Sequence, residues 1–507
     1  MMKANGLAGA FSRIPWWVGV RVSLVLTCLG LVACHAEDKP DLVLVTVDTF
    51  RADHLASYGY FRKTTPFLDN LADRGALFEH AIAASSTTVP SHATILSGLH
   101  PSQHGARANG ELIRPDVSTI AQILGAAGYQ TAAFVSTSAH FRPAELDRGF
   151  LHFEDATSHG NATNTLAARE TVDRAIAWLS RQKDDRPLFL WIHLWDPHSP
   201  YQPARLFKDN SETEAKQYVE FMVRERCADL GFFDNDPWKL KAVMDSYDGE
   251  IRAVDDALRS LFDDIGGLHR RPAVWIVTGD HGEGLGNHDW LLHGRFLYRE
   301  QLHVPMIVYS TDARFSSSRI STPVTHSDIF PTLLELAGGS FDSSPDHGTG
   351  RSLLPLITDE SSQGHRLTFS ERRRFSRQPA GITDPHPKSS VETPVGRDLY
   401  DSGDRRQKYV AKMIRDHLAA NFEVGQAYAV SDERYTLIYR TELNDLFFDR
   451  FADPCERHNL IGTDSEAQTR LREGLAEILS GFPESAKDAH LADSETLEQL
   501  HSLGYVP

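Results

Sequence analysis

The chain has 507 residues, 41% of them hydrophobic and 24% charged, and a formal net charge of -17. That length exceeds one average domain and predicts a large core with a smaller attached subdomain. The acidic balance excludes a general nucleic-acid binder, because phosphate backbones demand basic patches. An anionic substrate stays open, since a bound cation can reverse the local field.

Lys3, Arg13 and Arg21 precede an apolar run over residues 22–31 that is too short to span a bilayer comfortably. The run ends in Leu31-Val32-Ala33-Cys34, which resembles the lipobox of bacterial lipoproteins, where the signal is cut before the Cys and the thiol is acylated. Residues 1–34 are therefore expected to be a signal peptide and lipobox. The mature chain would sit in a bacterial cell envelope, periplasmic or surface-exposed, held to the membrane by lipid on Cys34; an ordinary secretory signal is the alternative. Cys28 would leave with the signal. Cys227 and Cys455 either pair in an oxidising compartment or stay as two buried thiols. No cysteine cluster has metal-binding spacing.

Continuous apolar runs at residues 41–47, 131–135, 188–194, 273–277 and 304–309 read as strands buried on both faces, as parallel strands are. Helical patterns lie between them. Thr65-Pro66 offers a cap and a first-turn proline, and Gly75 a stop, around Phe67, Leu68 and Leu71. Further helices are expected over residues 171–179, 247–262 and 328–337. Alternating strands and helices predict an α/β fold with a doubly wound sheet over residues 39–365. Residues 366–425 are polar and basic, with too little apolar periodicity for a core, and read as a surface insertion. Strand-like stretches at 435–439 and 446–449 and a helix over 466–479 predict a small C-terminal α+β subdomain, residues 426–507.

Four features carry chemistry. The first strand ends at Asp48, where open α/β sheets bind ligands. The strand at 273–277 runs into Thr278-Gly279-Asp280-His281-Gly282-Glu283, whose carboxylate and imidazole on a tight turn suit a divalent cation. Thr88-Val89-Pro90-Ser91-His92 sets a hydroxyl at a helix start, where free amides and the dipole favour an alkoxide and an anion. His193, Asp196, His198, His288 and His293 follow or neighbour the strands. Any one of these has a bland counterpart as a turn residue or helix cap. Their co-occurrence is what points to a site.

Together they resemble the sulfatase branch of the alkaline-phosphatase superfamily. Asp48 with Arg51-Ala52-Asp53-His54-Leu55 and Tyr58-Gly59-Tyr60 is similar to the family's opening motif. Thr88 to His92, then Leu96-Ser97-Gly98, is similar to its nucleophile signature, Cys-x-Pro-Ser-Arg and Leu-Thr-Gly. Asp196-Pro197-His198-Ser199-Pro200-Tyr201, Gly279-Asp280-His281-Gly282-Glu283 and Tyr298-Arg299-Glu300 also match, as do Asp328-Ile329-Phe330-Pro331-Thr332 and the stretch from Asp453-Pro454 to Asn459-Leu460. The resemblance covers about residues 41–506, interrupted by the polar segment.

The departures are informative. Sulfatases convert the signature Cys to formylglycine, and the modifying machinery needs that Cys and normally the Arg; Thr88 and His92 stand here, so no formylglycine is expected. Thr49 replaces the family's second metal Asp, and His293 its sulfate-binding Lys. A formylglycine enzyme releases sulfate by collapse of a hydrated aldehyde, an exit that threonine lacks. The resemblance thus implies a metal-dependent hydrolase of phosphate (di)esters or phosphonate esters, or a transferase to an acceptor alcohol. Thr88 would be the nucleophile, and Asp48, Thr88, Asp280 and His281 would hold one divalent cation, Zn, Mn or Ca. His198 and His293 would contact the substrate or protonate its leaving group. Asn109 resembles the phosphate-holding Asn of related phosphodiesterases, or else forms an Asn109-Gly110 turn. Asp196 and His198 lie too close together for the family's two-metal pattern, and His193 and His288 read as packing or capping residues. Two alternatives stay open: a sulfuric ester hydrolase using Thr88 directly, and a non-catalytic surface lipoprotein.

Overall fold

A computed structural model of the chain describes residues 39–158, 164–207, 212–268, 271–339, 350–358, 366–373, 375–377, 403–419, 422–463 and 466–482. The expected signal peptide and lipobox lie outside the described residues. From Pro40 onward the chain is built on one eight-stranded sheet. In chain order its strands are β1 (Asp41–Val47), β2 (Ala76–Phe78), β3 (Gln130–Val135), β4 (His152–Glu154), β5 (Leu188–Leu194), β6 (Ala273–Gly279), β7 (Met306–Ser310) and β8 (Ser318–Ile320). Their spatial order is β8-β2-β7-β6-β1-β5-β3-β4.

The five strands β6-β1-β5-β3-β4 are parallel. β1, β5 and β6 are buried at every position, in keeping with their predominantly apolar sequences. Helices cover both faces. They include α1 (Pro66–Arg74), α2 (Thr88–Ser97), α3 (Ala168–Leu179), the long α4 (Pro237–Leu268) and α5 (Ile329–Leu336). Two hydrophobic clusters result, one per face, with Trp275 in the first and Trp191 in the second, both wholly buried. Each fully buried Leu, Val or Ile contributes about 1.5–3 kcal/mol, so the sheet's central strands dominate the stability.

One expected parallel strand runs the other way. Residues 304–309 do not form one parallel strand: β7 starts at Met306, after Pro305, and pairs antiparallel with both β6 and β2. No long crossover helix separates β6 from β7, so the chain returns along the neighbouring edge rather than crossing the sheet.

The segment 366–425 is also not a uniform surface insertion. Its first residues form β9 (Thr368–Arg372), the edge strand of a four-stranded antiparallel sheet with β10 (Ala427–Ser431), β11 (Tyr435–Arg440) and β12 (Leu446–Asp449). Helix α6 (Gly403–Ala419) buries Tyr409, Val410 and Ile414 in the first core cluster. Composition hid both, because the polar side chains of β9 are satisfied by partners distant in sequence. Residues 378–402 of this segment lie outside the described residues. The small sheet packs Phe369, Val430, Leu437 and Phe447 against Leu471 and Leu475 of α7 (Glu466–Ser480).

Cys227 and Cys455 form a disulfide with Cα atoms 5.4 Å apart, closing a sequence separation of 228 residues. A cross-link over so long a loop restricts the unfolded chain strongly. Replacing both cysteines with Ser is expected to cost about 2–5 kcal/mol. Chemical denaturation followed by tryptophan fluorescence checks this; the loss should match that seen on reducing the wild type.

Candidate active site

The site forms where β1 and β6 end. Their parallel register sets Val47 opposite Gly279, so the next residues, Asp48 and Asp280, emerge side by side. Helix α2 begins at Thr88, which takes its place with an extended Thr87 as cap. Asp48, Thr88, Asp280 and His281 are all wholly buried. The structure thus brings together the four residues that the sequence singled out as cation ligands.

Hydrogen bonds fix the orientation of each group. The backbone amides of Thr49 and His281 donate to Asp280 Oδ1 at 3.1 and 2.7 Å, leaving Oδ2 without a hydrogen bond among the described residues. Both oxygens of Asp48 are likewise buried and unbonded among the described residues. His281 Nδ1 donates to the Gly282 carbonyl at 2.9 Å, which leaves the lone pair on Nε2 directed inward. That Nε2 is 3.4 Å from Thr88 Oγ1, 3.5 Å from Asp280 Oδ2 and 3.8 Å from Asp48 Oδ1. Gly282 makes the turn possible: a Cβ there would sit 2.0 Å from the Glu300 carbonyl oxygen.

The electrostatics suit a positive partner. Burial, then the neighbouring Asp280 and Glu283, raise the Asp48 pKa well above its ordinary value. Burial likewise raises that of Asp280, against the backbone amides of His281, Thr49 and Asp280 itself that lower it. Three converging carboxylate oxygens without partners are what a divalent cation would satisfy. Asp48, Asp280 and His281 have ligand atoms within 4.8 Å of one another. The donor set of two carboxylates, one imidazole and one hydroxyl fits such a cation.

The remaining predicted residues divide. His293 lies against His281, ring centroids 4.5 Å apart, and His198 against His293 at 5.0 Å, so the three imidazoles form one wall. His293 Nδ1 is 3.1 Å from Glu283 Oε1, and Tyr201 donates to the other oxygen at 3.0 Å. Burial raises the Glu283 pKa to about 8 and lowers that of His293 to about 3. His198 Nδ1 donates to the Ser199 carbonyl at 2.6 Å, which leaves Nε2 as an acceptor. Asn109 accepts a bond from the Val89 amide at 2.9 Å and so holds the first turn of α2 beside Thr88. Asp196 accepts from the Ala168 amide at 2.6 Å, a cap at the start of α3 rather than part of the cluster.

Other residues take part that sequence reasoning left out or passed over. His92, in the signature's Arg position, donates from Nδ1 to the Thr88 carbonyl at 2.8 Å, and its Nε2 pairs with Thr46 Oγ1 at 3.0 Å. His326 accepts from the Ala84 amide and donates to the Gly279 carbonyl at 2.9 Å, tying the approach to Thr88 to the end of β6. His193 lies 3.7 Å from Asp48 Oδ2. Its place at a strand end was the available signal.

His288, on the loop between Glu283 and His293, stacks on Tyr298 with ring centroids 3.7 Å apart and pairs with Glu300 at 2.9 Å. Burial alone would lower its pKa, but Glu300 and the Glu456 carbonyl outweigh that and hold it up at about 9. A raised imidazole stabilises the fold fully below the ordinary value of 6.5, and that contribution is lost as pH rises through about 9. The stability difference between wild type and His288→Gln should follow this curve in urea titrations across that range. A difference independent of pH would contradict the charged pair.

Residues 40–340 match the sequence profile of the Sulfatase family. An arylsulfatase of Clostridium perfringens is 25% identical over 390 residues, spanning 64% of this chain and 79% of that protein. A solved structure in complex with its substrate D-glucosamine-2-N,6-O-disulfate superposes with a TM-score of 0.64 at 19% identity, covering 89% of this chain and all 100% of the other. A phosphonate monoester hydrolase of Agrobacterium radiobacter superposes at 0.59 with 18% identity, covering 88% and 96%. These structural likenesses show a shared fold. With Asp48, Thr88, Asp280 and His281 all inside the matched span, the chain belongs to the sulfatase family of hydrolases.

Proposed function

We propose that the protein hydrolyses a phosphate diester or phosphonate ester, with Thr88 as nucleophile and a divalent cation held by Asp48, Thr88, Asp280 and His281. The observation that carries this reading is the Thr88 hydroxyl, buried at the first turn of α2 and 3.4 Å from His281 Nε2. The resemblance of residues 88–92 to the sulfatase signature implies that Thr88 takes the place of the modified Cys. When bound, the cation supplies positive charge that lowers the hydroxyl pKa and offsets charge building on the ester oxygens.

The steps balance as two displacements at phosphorus. Thr88 Oγ1 forms a bond to phosphorus as the ester P–O bond breaks, and the proton that the Thr88 hydroxyl gives up leaves with the alcohol. Water then attacks the phosphothreonine, the Thr88 O–P bond breaks, and the hydroxyl regains its proton. In this scheme His293, through its ring N–H, and His198, through its Nε2 acceptor, contact the substrate and the leaving alcohol. Asn109 keeps the amide end of α2 ordered around the anion. A sulfo-threonine would have to be cleared by water attacking sulfur, which is why the nucleophile favours phosphorus. Kinship with an arylsulfatase favours direct sulfate ester hydrolysis as the second reading.

The discriminating experiment compares phosphodiester, phosphate monoester, phosphonate ester and sulfate ester turnover with Zn²⁺, Mn²⁺ or Ca²⁺. Thr88→Ala should lower kcat on the phosphorus diester or phosphonate by about 10³-fold or more. Asp280→Ala should lose the cation along with activity. Thr88-dependent turnover of sulfate esters alone would replace the first reading with the second, and silence on all four without bound metal would favour a non-catalytic lipoprotein.

The same reading includes export and lipid anchoring through Cys34 in a bacterial cell envelope. The Cys227–Cys455 disulfide supports an oxidising compartment. Labelling with a radioactive fatty acid should mark the wild-type chain and not Cys34→Ser. Equal labelling of both would contradict the anchor.

A further inference from the structure

Assigning a cation to Asp48, Asp280 and His281 leaves part of the buried site unexplained. His193, the penultimate residue of β5, is wholly buried, and neither of its ring nitrogens has a hydrogen-bond partner among the described residues. A buried imidazole ordinarily bonds through at least one nitrogen, because its hydration has been given up. The register of β5 against β1 sets His193 opposite Thr46, so the side chain lies beside the strand end that leads to Asp48.

The atoms facing His193 are themselves orphans. Its Nε2 is 3.7 Å from Asp48 Oδ2, while Asp48 Oδ1 faces His281 Nε2 at 3.8 Å. Asp280 also has a ligand atom within 4.8 Å of a His193 ring nitrogen. The neighbouring His92, 5.0 Å away ring to ring, makes the contrast plain. Both of its nitrogens are committed, one to the Thr88 carbonyl and one to Thr46. Phe141 backs His193 at 4.7 Å and holds the ring in its slot without offering a polar partner.

We propose that His193 is a further ligand of the site's cation, binding through Nε2 so that the two oxygens of Asp48 are flanked by an imidazole on each side. The inference rests on the cation site of the proposed function. It changes the chemistry of that site, because two imidazoles and two carboxylates select a zinc- or manganese-like ion over calcium, which prefers oxygen donors.

The test strips the purified full-length protein of metal and titrates it with Zn²⁺ and Ca²⁺ by calorimetry. A Co²⁺ absorption spectrum follows as a direct readout of nitrogen ligation. His193→Phe keeps the ring packed on Phe141, and His193→Gln keeps a polar group if Phe disturbs folding. Both should weaken Zn²⁺ binding by at least about tenfold and shift the Co²⁺ visible bands, while Ca²⁺ binding changes little. Unchanged Zn²⁺ affinity and an unchanged Co²⁺ spectrum in both variants, with binding lost in Asp280→Ala, would overturn the role of His193 and leave the cation site standing. Unchanged binding in all three variants would overturn both.

Discussion

Two adjacent strands deliver two carboxylates to one buried point, and the rest of the site is organised around that burden. The register of β1 and β6 leaves Asp48 and Asp280 no alternative but to lie together. Carboxylates in such surroundings either take up protons or find a cation, since isolated buried charge is prohibitively costly. The backbone is bent to meet this need. Thr49 adopts a left-handed conformation with φ of 52°, which turns its amide onto Asp280. Tyr247 from α4 donates to the Thr49 carbonyl at 2.6 Å and accepts from the Arg51 amide, so the strained turn is clamped from the opposite layer. Such strain persists only where surrounding structure over-determines it.

The second sheet is tied to this point as well. Glu371 of β9 donates its amide to the Ala84 carbonyl, and Ser370 Oγ donates to that of Ala83. The strand therefore extends the backbone that leads into Thr87 and Thr88. The Glu371 side chain meanwhile accepts from Ser102 and pairs with Arg107, on the loop that carries Asn109. A C-terminal element thus braces both the approach to α2 and the residue that caps its first turn. Looseness in the small sheet would be felt at Thr88, although no residue of that sheet belongs to the cation cluster.

What the sequence made legible follows from how local each signal is. Asp48 and Asp280 end apolar strands and Thr88 starts a helix, so their placement needs only the rule that parallel sheets gather function at strand ends. His193 was passed over because its meaning depends on which atoms face it across two strands, and a histidine in an apolar run is ordinarily a packed one. The β9 strand was hidden by its polar side chains, whose partners lie up to 269 residues away in sequence. The direction of β7 depended on the absence of a crossover, and the Cys227–Cys455 pair on a spatial approach that spacing does not encode. Non-local pairing is the common cause of all four.

The departures from the family pattern also act in one direction. His92 and His293 stand where the resemblance has Arg and Lys, and burial lowers the pKa of both, so each is a neutral ring rather than a fixed cation. On the proposed reading the anion pocket lacks the two positive charges that the resemblance implies there, and the metal would carry much of the compensation. A dianionic monoester would be poorly balanced there. A phosphodiester, a phosphonate ester and a sulfate ester each bring a single negative charge and suit the reduced field. Charge thus narrows the proposed substrate to a monoanion but does not choose between phosphorus and sulfur. In the proposed mechanism the nucleophile would make that choice, because a threonine can be cleared of a phosphoryl group by water but has no aldehyde through which to expel sulfate.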